Sequence, residues 1–87
     1  MHEYSLMADL FRKIDGISRE NDNGKVVVVR VRLGALSHIT PEHFEEHFVE
    51  FAKGTPAEGA SLEITQLEDA KDPNAQDIIL DSVEVAA

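Results

Sequence analysis

Cysteine is absent from this 87-residue chain, and that absence removes several kinds of protein at once. No disulfide framework, thiolate zinc ribbon or dithiol redox couple can be built. Basic residues are scarce too, with eight Lys and Arg against 17 Asp and Glu and a formal charge of −9. Such a balance repels phosphate backbones and anionic headgroups, which argues against nucleic acid and membrane as partners. Long apolar runs are missing. The longest, Val26-Val27-Val28-Val29, has the length of a strand and falls far short of the roughly 20 residues a membrane helix needs. The chain start carries His2, Glu3 and Asp9 where a secretory leader has a positive region and an apolar core, so the cytoplasm is the expected compartment. There is no glycine-rich phosphate loop, no Gly-x-Ser-x-Gly elbow and no thiol nucleophile, and an enzyme is not expected.

What is present reads as one domain over 1–87 with a small core. Leu6, Met7, Leu10, Phe11, Ile14 and Ile17 recur at spacings of three and four, which predicts a helix over 5–20 with Ser5 as its N-cap. Asn21-Asp22-Asn23-Gly24 ends it. Lys25 to Leu33 is the clearest strand, with Val27, Val29, Val31 and Leu33 on one face and Val26, Val28, Arg30 and Arg32 on the other. The two arginines suit a solvated face, paired with Glu63 or Asp81, better than an anion site. Thr40 and Pro41 open a second helix whose buried stripe is Phe44, Phe48, Phe51 and Ala52, and Lys53-Gly54 closes it. Ser61 to Leu67 and Asp77 to Val85 read as two further strands, joined as an antiparallel hairpin across the polar loop 68–76. The expected architecture is α+β, order α-β-α-β-β, with both helices on one face of a three-stranded mixed sheet. Free sheet edges leave room for a strand-paired homodimer.

The chemistry gathers at Met1-His2-Glu3. A histidine at position 2 brings the terminal amine, backbone amides and an imidazole into one short loop. Deprotonated amides are poor ligands for zinc but good ones for nickel and copper, which accept a square-planar field of nitrogens. Taken alone, a solvated, frayed terminal histidine explains the same residues. His43-Phe44-Glu45-Glu46-His47 matches the H-x-x-E-H zinc-protease pattern. A third ligand and a peptide cleft would be needed, and partly exposed imidazoles on a helix flank are the simpler reading. His38 lies in the loop before the second helix and gains interest only where that loop meets the chain start.

Three segments, Met1-His2-Glu3-Tyr4-Ser5-Leu6, Val29 to Ser37 and Ala52 to Ile64, together resemble the HypA/HybF family of nickel metallochaperones for [NiFe]-hydrogenase and urease. The resemblance covers residues 1–67 strongly and the closing strand more weakly. It implies Ni(II) held at the free N-terminus by the Met1 amine, the His2 amide and imidazole, and the Glu3 amide. It also implies a HypB-like maturation GTPase and the hydrogenase large subunit as partners. The family's zinc domain, with its two Cys-x-x-Cys pairs, is expected between the last two strands. Here only loop 68–76 stands there, so no zinc is expected. An adaptor that docks on a maturation GTPase or a metalloenzyme subunit without carrying metal is the alternative.

Overall fold

A computed structural model describes residues 2–37, 39–73 and 75–86. Its elements are α1 (His2–Glu20), β1 (Val26–Leu33), α2 (Pro41–Ala52), β2 (Ser61–Gln66) and β3 (Ile78–Val85). The order α-β-α-β-β and the mixed three-stranded sheet are as the sequence predicts.

The strand order is β2-β1-β3, which overturns the expected hairpin. β1 pairs with β2 in parallel and with β3 antiparallel, so the last two strands lie on opposite sides of the first. Composition explains the arrangement. The valine-rich β1 is the strand best suited to the centre, whereas Ser61, Glu63, Thr65 and Gln66 on β2 tolerate an exposed edge. Two parallel neighbours cannot be joined by a tight turn and need a crossover, which α2 supplies.

α1 starts at His2 and not at residue 5, so Ser5 sits inside the helix and does not cap it. Nothing in residues 2–4 breaks a helix, and Glu3 complements the positive end of the dipole. Met7, Leu10, Phe11 and Ile14 are buried as expected. Ser18 is buried with them, its hydroxyl donating to the Gly24 carbonyl at 2.8 Å. The turn after α1 places its left-handed residues at Asp22 (φ 60°) and Asn23 (φ 57°). Gly24 answers a different need, because a Cβ there would stand 2.5 Å from Val85 Cγ1.

The α2 cap forms as predicted, with the His43 amide donating to Thr40 Oγ1 at 3.2 Å. Phe44, Phe48 and Ala52 are buried, whereas Phe51, expected in the same stripe, is only half-buried at its edge. Phe48 meets Phe11 of α1 at a ring-centroid distance of 4.9 Å, and Phe51 stacks on the same Phe11 at 5.7 Å. The helices and the inward face of the sheet share one core.

One face assignment on β1 is corrected. Val26 is buried and Val27 is 39% exposed, the reverse of simple alternation. The pairing slips between Val26 and Val28, where β1 carries one extra residue against β3, and slips back between Arg30 and Val31, where β3 carries the extra one. Each bulge turns two successive residues outward and so resets the period of two. On β3 the inward residues are therefore Ile78 and Leu80, then Val83 and Val85.

Candidate metal site at the chain start

Of the expected nickel ligands, His2 and Glu3 open α1 and their backbone forms part of its first turn. Met1 and His38 lie outside the described residues, as do the side chains of His2, Glu3 and Tyr4. The amides of a first helical turn have no intrahelical carbonyl to bond. Losing a proton from them therefore removes no N–H donor from the helical ladder.

Chain direction sets where this turn sits. α1 and β1 are joined by only the short turn 21–25 and share one core, so they run in opposite directions. Nineteen helical residues rise about 28 Å and eight strand residues about 26 Å. The first turn of α1 thus lies at the end of the molecule where β1 finishes. The loop 34–37 and the β2–β3 connection 67–77 share that end and are stitched together. Gly34 N–H donates to the Asp77 carbonyl at 2.9 Å, Leu36 N–H to that of Ala75 at 2.6 Å, and Leu67 N–H to that of Leu33 at 2.8 Å. Ala75 is buried beneath the crossing, an anchor that the polar composition of 68–76 did not signal.

The zinc-protease pattern on α2 keeps its two histidines together, with the His43 and His47 rings 4.5 Å apart between centroids. Among the described residues, no group of three or more His, Asp or Glu side chains converges as a metal cage. The hollow beside His47 is open and lined by Glu45, Glu46, Val49 and Glu50. It offers no cleft for a peptide.

The outward sheet face is a lattice of ion pairs. Arg30 lies between Glu63, at 3.0 Å, and Glu84, at 2.5 Å, and its guanidinium hydrogen-bonds Ser82 at 3.3 Å. The carboxylates of Glu84 and Glu63 raise its pKa and keep it charged. Arg32 pairs with Asp81 at 3.5 Å. Both predicted partners are found and Glu84 is added, so these arginines are committed to carboxylates and form no anion site.

Residues 1–71 match the family described as "Hydrogenase/urease nickel incorporation, metallochaperone, hypA". The chain is 37% identical over 67 residues to the hydrogenase maturation factor HypA of Desulfitobacterium hafniense, covering 77% of this chain and 59% of that protein. To the Archaeoglobus fulgidus HypA it is 42% identical over 65 residues, covering 75% and 59%. To the Aquifex aeolicus HypA it is 39% identical over 71 residues, covering 82% and 61%. It spans about three fifths of the length of these curated relatives.

Proposed function

The chain belongs to the HypA family, and from that premise we propose that it carries Ni(II) as cargo for the maturation of a nickel enzyme, holding the ion at its N-terminus. The ligands in this reading are the Met1 amine, the His2 amide and imidazole, and the Glu3 amide. The observation that carries it is the family match from residue 1 onward, with His2 in place. The start of α1 at His2 adds support, because it leaves the two amides outside the helical ladder. Helical ψ is about −42°, whereas a planar chelate ring needs a flatter backbone, so binding unwinds the first turn and little else. The carrier performs no reaction of its own. Its expected partners are a HypB-like GTPase and the large subunit of a [NiFe]-hydrogenase, with urease as another recipient, and its expected compartment is the cytoplasm.

The connection 67–77 bears on the zinc domain. Crossing from β2 to β3 over β1 spans about 10 Å, two strand spacings, whereas the connection is eleven residues long. Three or four extended residues would reach. In this reading the whole of 1–87 is one nickel-binding unit, and the connection stands where the resemblance puts the zinc domain. The site of replacement is a crossover and not the hairpin the sequence suggested. With no cysteine to bind zinc, an adaptor without metal cargo is the second reading, favoured by this same connection.

The test is a Ni(II) titration of protein with its native N-terminus, followed by visible absorption. A yellow, diamagnetic one-to-one complex that vanishes in His2→Ala, and on adding one residue before Met1, is the expected result. A yellow complex that survives both changes would overturn the N-terminal site and leave the adaptor.

A further inference from the structure

We propose that the exposed face of α2 holds a second, independent cation site, in which His43 and His47 chelate one first-row divalent ion through their imidazoles. The two residues stand one helical turn apart, a spacing that places side chains on one stripe. Their rings already meet, with centroids 4.5 Å apart and planes tilted by 31°. Two cis ligands at the usual metal–nitrogen distance of about 2.0–2.1 Å have donor atoms about 3 to 3.5 Å apart. Ring centroids 4.5 Å apart are compatible with that spacing.

The backbone beneath them is fixed. Thr40 caps the helix, Pro41 starts it, and Phe44, Phe48 and Ala52 bury the opposite face. The two imidazoles therefore chelate with little further ordering, which is the condition under which two weak ligands become a site. Helical periodicity puts Glu46 and Glu50 on the same stripe, and among the charged residues of α2 all four are acids: Glu42, Glu45, Glu46 and Glu50. Lys53, just beyond the C-terminus of α2, is paired with Glu50 at 3.2 Å. The acids raise the local cation concentration, and water fills the remaining coordination positions. With two protein ligands and an open hollow, the site binds exchangeably and does not hydrolyse peptides. Imidazole suits zinc, nickel and copper alike.

Zinc separates this site from the N-terminal one, because backbone amides serve nickel and not zinc. His2→Ala protein is titrated with ZnCl2 and read by thermal melting and by the imidazole ring signals in NMR spectra. The expected result is a zinc-dependent rise in Tm with shifts at His43 and His47. His43→Gln or His47→Gln, each in the His2→Ala background, should weaken zinc binding at least about tenfold, as chelation reverts to a single ligand. Melting without metal checks that the variants fold. Zinc binding that is equally tight in both glutamine variants, or shifts confined to other residues, would overturn the proposal. A yellow nickel complex in protein with intact His2 that ignores both glutamine substitutions supports independence. Loss of that complex with zinc binding intact would remove the N-terminal site alone.

Discussion

Phe48 offers the sharpest test of how α1 is held. Its ring is 2% exposed and meets Phe11 at 4.9 Å and Phe44 at 6.2 Å. It is thus the side chain through which α2 grips the middle of α1. Truncating a buried Phe to Ala costs about 3–5 kcal/mol, from lost transfer energy plus the cavity left behind. The aromatic pairs put Phe48→Ala towards the upper part of that range. A domain of this size has roughly 4–13 kcal/mol to lose, and each kcal/mol lowers Tm by about 4–8 °C. Phe48→Ala should therefore lower Tm by at least about 12 °C in far-UV circular dichroism melts. Phe48→Leu keeps most of the volume and should cost only about 1–2 kcal/mol. A drop below about 5 °C for the alanine variant would refute the reasoning, since it would mean that α1 is held elsewhere. Phe48→Leu also separates fold from cargo. Well below its Tm it should form the yellow nickel complex with unchanged stoichiometry, because the ligands proposed at the N-terminus all precede the core.

Ser18→Ala removes a buried donor to the Gly24 carbonyl and should cost about 1 kcal/mol, read as a lower urea midpoint with an unchanged slope. Asp9 is held below the usual carboxylate range, chiefly by the hydrogen bond and charge of Lys13 and then by Arg12. A folded pKa below the unfolded one makes its contribution present above about pH 4 and lost as pH falls through the folded value. NMR titration should find the Asp9 midpoint below that of a free aspartate, and an ordinary midpoint would contradict the pairing. A flexible ten-residue insert between the exposed Glu68 and Asp69 roughly doubles the connection and should cost about 0.6 kcal/mol in loop entropy. A melting loss above about 10 °C would show that the crossing is more constrained than its two anchors imply.

Local chemistry was legible where a single short-range rule decides. The Thr40-Pro41 cap, the α2 stripe and the pairing of Arg30 with Glu63 and Arg32 with Asp81 could all be read from spacing and residue type. Strand order could not. β2 and β3 look alike to a period of two, and their places depend on which edges of β1 are open, a long-range property. The bulges were invisible for a related reason. Val26 and Val27 are the same residue type, so nothing in side-chain chemistry says which of them turns inward. Ser18 hid in the same way, since a serine on a helix reads as solvent-facing until its partner, Gly24, is folded back beside it. At the candidate site the sequence supplied the ligand types, while the fold supplied the position of the first turn.

That position has an energetic consequence. From Ser5 onward, the first fully buried side chain of α1 is Met7, with Ser5 exposed and Leu6 half-buried before it. Unwinding residues 2–5 forfeits two or three backbone hydrogen bonds, each worth about 1 kcal/mol net. In the proposed reading, cargo held there comes and goes while Met7, Leu10, Phe11 and Ile14 keep the core intact. The imidazole pair on α2 obeys the opposite rule. Its helix is capped at Thr40 and pinned by Phe44 and Phe48, so an ion on His43 and His47 binds only while the helix is formed and therefore stabilises it. Two metal sites on one small domain would then differ in kind, one loosening the first turn of a helix and the other bracing a packed helix. Thermal melting should distinguish them, since only the second couples binding to global stability.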